Sequence, residues 1–194
     1  MYKDNMKKLF LDEQQLLLDS FKLGVQVVES HFRPTFIVGL WRGGSTVGIY
    51  VQECLQTLGI ETDHIAIRTS YRGEPSYEAM VSEPDSQIRV HGTEYLLETL
   101  NADDGLLIVD DVFSTGLSIQ AVIQHLKNRL RRNFPNQVKV ATLYQRPSYQ
   151  KTVSAPDYCL HTTTDWLVFP YEMSGLSPHE IRKYKPYLGK LINN

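Results

Sequence analysis

The chain holds 194 residues with 20 Lys and Arg against 22 Asp and Glu, a formal net charge of −2, and it is 42% hydrophobic and 22% charged. That is ordinary globular usage at the length of one domain, which excludes collagen-like, coiled-coil and disordered classes. It also argues against nucleic acid or an anionic membrane as the main partner, because proteins that bind them carry a clear basic excess.

In chain order, Asp12 to Ser30 places Leu16, Leu17, Phe21, Leu23, Val27 and Val28 at helical spacing, predicting an amphipathic helix that Pro34 stops. Phe36-Ile37-Val38 is a short apolar strand entering a glycine-rich turn from Gly39 to Gly44, and Val47 to Leu58 reads as a helix closed by Gly59. His64 to Ile67 is a second strand. The polar stretch Ser70 to Ser86, broken by Gly73, Pro75 and Pro84, predicts a long mobile loop or an extended hairpin. Thr93 to Leu100 is a short helix, Leu106 to Val109 an apolar run of the kind buried on both faces of a sheet, Leu117 to Arg131 a helix and Val138 to Leu143 a strand. The tail differs: Asp157 to Tyr171 is rich in β-formers, and Ser177 to Leu188 predicts one terminal helix with Pro178 at its first position. Strands alternating with helices predict an α/β fold on a parallel sheet, with ligands at the carboxyl ends of the strands, and a small lobe made from the tail and the chain's start.

Cys54 and Cys159 show no CxxC or Cys/His spacing, so neither a disulfide framework nor a zinc site is expected. No apolar segment follows the lysines of Met1 to Phe10, and runs such as Leu106 to Val109 fall far short of a membrane span; a cytoplasmic protein is the expectation. Lys127, Arg129, Arg131 and Arg132 read as cations at the negative end of a helix rather than a nucleic-acid site.

The most informative run is Leu107-Ile108-Val109-Asp110-Asp111-Val112-Phe113-Ser114-Thr115-Gly116-Leu117-Ser118. Two carboxylates end a buried strand, and small hydroxyl residues with a glycine stand at the mouth of a helix. Unpaired N–H groups, a positive dipole end and the hydroxyls of Ser114, Thr115 and Ser118 suit a phosphate. Adjacent acids beside a phosphate would repel it unless they accept hydrogen bonds from the 2′ and 3′ hydroxyls of a ribose. A ribose 5-phosphate is the fragment this pattern fits. Alone, an Asp-Asp pair can merely end a strand and a Ser or Thr merely cap a helix.

The run resembles the signature of type I phosphoribosyltransferases, which bind 5-phosphoribosyl-1-pyrophosphate (PRPP); the absence of a following Gly-Lys-Ser/Thr excludes a Walker A loop. The resemblance covers roughly residues 30 to 175. It implies a parallel-sheet core at about 30–145 and a C-terminal hood at about 146–194 joined by the N-terminal segment, all in one domain. Asp110 and Asp111 would take the ribose, as catalytic residues, and Ser114, Thr115, Gly116, Leu117 and Ser118 the 5-phosphate. Val38 to Gly44 resembles the family's pyrophosphate loop, with Arg42, Gly43 and Gly44 as binding residues and Trp41–Arg42 as the place for a non-proline cis peptide. Ser70 and Tyr71 resemble the Ser-Tyr pair of the catalytic loop that closes over PRPP and keeps water from an oxocarbenium-like transition state.

Asp165 to Glu172 resembles the hood of bacterial enzymes for 6-oxopurines. By that likeness Trp166 stacks on the base, the backbone at Val168 reads its edge, and Glu172 faces pyrophosphate and magnesium. Arg146 stands where relatives place a lysine that donates to the purine O6, which favours guanine, hypoxanthine or xanthine over adenine. The implied reaction moves the phosphoribosyl group from PRPP to a purine base, with Mg2+ bound mainly through PRPP, in a homo-oligomer, dimer or tetramer. Two residues depart from the pattern: Ser114 replaces an aspartate thought to handle the proton near N7, and Arg146 replaces lysine. The alternatives are an enzyme for orotate or another base, and a PRPP-sensing regulator without catalysis.

Overall fold

A computed structural model describes residues 7–71 and 88–192. In chain order the elements are β1 (Lys8–Phe10), α1 (Glu13–Glu29), β2 (Phe36–Trp41), α2 (Gly43–Thr57), β3 (Asp63–Tyr71), β4 (Ile88–His91), α3 (Glu94–Thr99), β5 (Gly105–Phe113), α4 (Leu117–Leu130), β6 (Gln137–Gln145), β7 (Tyr158–Thr162), β8 (Trp166–Val168), α5 (Pro178–Tyr184) and α6 (Pro186–Ile192). They divide into a larger unit, residues 19–164, and a smaller unit made of residues up to 18 and from 165 onward.

The larger unit is built on a six-stranded sheet in the order β4-β3-β2-β5-β6-β7. Every pairing is parallel except β3 with β4. The mixed α/β class expected from the alternation is therefore present, with one antiparallel edge strand added. Leu106 to Val109 are fully buried, as a run covered on both faces requires. The core joins Ile108 and Val38 of the sheet to Leu96 of α3 and Val122 and Leu126 of α4. Removal of such side chains from water, about 1.5–3 kcal/mol each, is the main favourable contribution to holding helix on sheet.

Several elements differ from their expected bounds for local reasons. β5 continues past Val109 to Phe113 because β6 pairs with it as far as Phe113↔Gln145, so both aspartates lie on the strand rather than after it. α2 begins at Gly43, not Val47: much of the glycine-rich turn is the helix's first turn. β3 runs on to Tyr71, so Ser70 and Tyr71 belong to a strand paired antiparallel with β4 (Ser70↔Arg89, Tyr71↔Ile88), in keeping with the hairpin rather than the loop among the two expected forms. The remainder of the expected loop, 72–86, lies outside the described residues.

The smaller unit pairs β1 with β8 in parallel, Lys8↔Trp166 through Phe10↔Val168. The segment 146–164 goes with the larger unit because β7 pairs with β6. The single terminal helix expected from Ser177 onward is two helices, since Pro186 restricts Lys185 before it and has no N–H to donate. Its start is as expected: Ser177 and Glu180 form a reciprocal capping box with Pro178 in the first turn. Lys8 bonds Glu180 at 2.7 Å, and this bond is the first cause holding the Glu180 carboxyl down at about 2.

Leu126→Ala should destabilise the chain by about 2–5 kcal/mol in urea unfolding, with m unchanged. A loss under about 1 kcal/mol would mean that α4 does not rest on the sheet as described.

Candidate functional site

The chain leaves β2 for β3 on one side and β5 for β6 on the other, so the strand order reverses between β2 and β5. In open α/β sheets such a reversal marks the usual ligand position, at the carboxyl ends of the two strands. The Arg42-Gly43-Gly44 turn follows β2, and Asp110 to Ser118 closes β5 and opens α4, so the two loops marked by the sequence meet at one place.

Around Gly44 the fit is tight. A β-carbon there would sit 2.9 Å from the Asp110 Cα and clash with the Val109 carbonyl, so only glycine lets the start of α2 approach the end of β5. Arg42 is the N-cap of α2 and contributes no side-chain cap. The Trp41–Arg42 peptide is cis, as the resemblance implied, and the Trp41 indole is 59% exposed.

Each aspartate turns a carboxylate oxygen to the backbone ahead. The Asp111 N–H donates to Asp110 Oδ1 at 3.0 Å, and the Val112 N–H donates to Asp111 Oδ1 at 2.8 Å. Burial, then the neighbouring Asp111 charge, pushes the Asp110 carboxyl well above the ordinary carboxylate range.

Beyond Phe113 the chain turns through Gly116 at φ +78°, a left-handed conformation suited to glycine, and α4 starts at Leu117. The Leu117 N–H donates to Thr115 Oγ1 at 3.3 Å, while Gly116 as N-cap offers no side chain. The segment after β6 is stitched along this loop: the Arg146 N–H donates to the Phe113 carbonyl at 2.9 Å and the Lys151 N–H to the Thr115 carbonyl at 3.0 Å. Arg146 is therefore anchored one residue from Ser114, and the residue as a whole is only 3% exposed.

Ser70 Oγ shares a 2.9 Å hydrogen bond with His91 Nε2 across the β3–β4 pair. In the smaller unit, the Trp166 N–H donates to the Lys7 carbonyl at 2.9 Å, and the Val168 carbonyl accepts the Leu11 N–H at 3.0 Å. Glu172 Oε2 accepts the Phe169 N–H at 3.0 Å. The Lys185 ammonium donates to the carbonyls of Phe169 and Pro170 at 2.7 and 2.8 Å, and its burial lowers its pKa. Among the described residues no three His, Cys, Asp or Glu side chains cluster as a metal site, and no helix is long and apolar enough to cross a membrane. Both cysteines are free.

Within the larger unit the structure brings together Arg42, Gly43, Gly44, Asp110, Asp111 and the Ser114 to Ser118 loop, with Arg146 beside that loop. Trp166, Val168 and Glu172 lie within the smaller unit. Two contacts escaped the sequence reading. His91 bonds Ser70 only through strand pairing across 21 residues. Tyr149, whose ring lies 4.1 Å from the Arg146 guanidinium carbon, carried a signal in its i+3 spacing after Arg146.

A family model for the phosphoribosyl transferase domain matches residues 9–176. The chain belongs to this family and is a phosphoribosyltransferase. Among its relatives, the hypoxanthine-guanine phosphoribosyltransferase of Streptococcus mutans is 19% identical over 192 residues, 98% of this chain and 96% of that one. The bifunctional protein PyrR of Pasteurella multocida is 29% identical over 126 residues, 62% of this chain and 66% of that one. Among solved structures, the purine phosphoribosyltransferase from Pyrococcus horikoshii is 25% identical with a TM-score of 0.64, covering 89% of this chain and 99% of that one. A Neisseria gonorrhoeae protein with bound ppGpp reaches 0.69 at 14% identity, over 94% and 97% of the two chains, and shows the shared fold.

A carboxyl whose pKa is raised by folding opposes folding once the pH passes its unfolded value, and the penalty grows until the folded pKa is reached. Asp110→Asn should therefore keep or raise the thermal midpoint at neutral pH while losing PRPP binding. Wild-type PRPP affinity should climb with pH through the raised Asp110 pKa and release a proton, read by calorimetry in buffers of different ionisation enthalpy. A pH-independent affinity with no proton release would contradict this.

Proposed function

We propose that the chain transfers the 5-phosphoribosyl group of PRPP to a 6-oxopurine, giving a nucleoside 5′-monophosphate and pyrophosphate. The observation that carries this is the close approach of the Arg42-Gly43-Gly44 turn after β2 to Asp110 on β5, whose acidic pair runs into a helix-opening hydroxyl loop. Each part suits one part of PRPP. Backbone N–H groups and hydroxyls of Ser114, Thr115, Gly116, Leu117 and Ser118 hold the 5-phosphate at the start of α4. Asp110 and Asp111 accept from the ribose hydroxyls and lie near positive charge developing at C1. Arg42 and the close-lying backbone of Gly43 and Gly44 hold the pyrophosphate, with a guanidinium that keeps its charge through the reaction.

A nitrogen of the base attacks C1 as the bond to pyrophosphate breaks, so leaving-group charge grows where Arg42 stands. Ser70 and Tyr71 are assigned to shielding that step. Magnesium enters with PRPP as part of the substrate and neutralises pyrophosphate oxygens. The residues fit that role rather than a resident ion: Glu172 has one oxygen committed to the Phe169 N–H, and the described carboxylates form no cage.

For the base, Arg146 in the larger unit offers a cation that favours an O6 acceptor over the amino group of adenine; in the smaller unit, taken by itself, Trp166 offers a stacking surface worth about 1–3 kcal/mol whatever the base, and Val168 a backbone edge. The hypoxanthine-guanine and purine enzymes among the relatives support this choice. Ser114 favours the second reading, orotate or another base, because a serine at neutral pH cannot take the proton an aspartate would.

Pyrophosphate release from PRPP and Mg2+ should be measured with guanine, hypoxanthine, xanthine, adenine, orotate and uracil. Turnover with the first three is expected; release only with orotate or uracil would overturn the purine reading. Asp111→Asn should lower kcat/KM for PRPP about 10- to 100-fold, the scale of one lost hydrogen bond to a charged group.

A further inference from the structure

Arg146 carries a full positive charge in a nearly closed setting, and its orientation is constrained from two sides. The guanidinium carbon lies 4.1 Å from the centroid of the Tyr149 ring. Nη2 points toward the Thr164 carbonyl at 3.4 Å. Both neighbours are themselves fixed. The Tyr149 N–H donates to the Arg146 carbonyl at 3.0 Å in the short turn Pro147–Tyr149, and the Thr163 N–H donates to the Gln145 carbonyl at 3.0 Å. With the Arg146 N–H tied to Phe113, residues 113, 146, 149 and 164 form one braced set beside Ser114.

We propose that Tyr149 is a positioning residue that holds the Arg146 guanidinium as a fixed planar fork, and that this fork reads two adjacent acceptors of the purine, O6 and N7. The inference rests on the phosphoribosyltransfer reading above and deepens it at the base. A guanidinium presents parallel N–H donors that match O6 and N7 of guanine, a pairing that an ammonium meets only as a point charge. Adenine offers an amino donor beside N7 and is refused. The two departures from the family pattern then belong together. With a cation reading N7 of the nucleotide, a carboxylate at position 114 is not required to hold that nitrogen, and the proton that the base loses on attack passes to solvent rather than to Ser114.

The test compares three ligands by calorimetry: ribose 5-phosphate, guanosine 5′-monophosphate, and its 7-deaza analogue, in which N7 is replaced by C–H. Wild-type protein should bind guanosine monophosphate at least tenfold tighter than ribose 5-phosphate, and about tenfold tighter than the 7-deaza analogue. Tyr149→Leu should erase most of the 7-deaza difference and weaken guanosine monophosphate about tenfold, leaving ribose 5-phosphate within about twofold; a cation–π contact of this kind is of that order. Tyr149→Phe, which keeps the ring, should behave as wild type. The inference is overturned if the 7-deaza analogue binds wild type as tightly as guanosine monophosphate, if Tyr149→Leu leaves the difference intact, or if it weakens all three ligands alike. Absence of ribose 5-phosphate binding to wild type would instead overturn the phosphoribosyl reading, which keeps the two failures distinct.

Discussion

Everything at the site depends on one close approach: the first turn of α2 lies against the carboxyl end of β5. Gly44 has no side chain because the Val109 carbonyl and the Asp110 backbone occupy the space a β-carbon would need. That contact sets the distance between the cationic turn after β2 and the acids on β5. A bulkier residue would push those two groups apart. The β2–β5 ladder fixes the same distance from below, through Phe36↔Leu106 to Gly39↔Val109. The scaffold is thus rigid directly beneath the place where the chemistry is assigned.

The local electrostatics answer the question raised by a chain of net charge −2. Two adjacent carboxyls stand at the end of β5, and burial, then the Asp111 charge, disfavours ionisation of Asp110. Positive character comes from a cation and from backbone N–H groups rather than from a basic surface. Such a site discriminates by geometry: an anion is attracted only where it also brings hydroxyl donors for the acids. That is a reason for a sugar phosphate to be bound in preference to inorganic phosphate.

Much of this was legible in the residues. The apolar run Leu106 to Val109, the Asp-Asp pair and the Ser-Thr-Gly loop are local patterns, so they marked the sheet, the acids and the helix start. The cis peptide at Trp41–Arg42 was anticipated by resemblance. What was misread depends on pairing across long separations. β5 reaches Phe113 because β6 continues beside it, and the choice between loop and hairpin at Ser70 turns on pairing with residues 88–91, far along the chain. The glycine turn became helix because its small residues pack against β5, which no window of the sequence around it contains. Tyr149 lay in view, but an aromatic three residues after an arginine gains meaning only once the arginine is known to be buried.

The antiparallel strand β4 bears on a different matter from ligand binding. A sheet that ended on β3 would present the unpaired backbone of a nine-residue strand as a template for a foreign chain. β4 covers part of that edge and has only four residues of its own, alternating half-buried and exposed, with Arg89 and His91 on the outward positions. A short, charged strand is a poor surface for further strand addition. This antiparallel pair thus guards the chain against edge-to-edge aggregation.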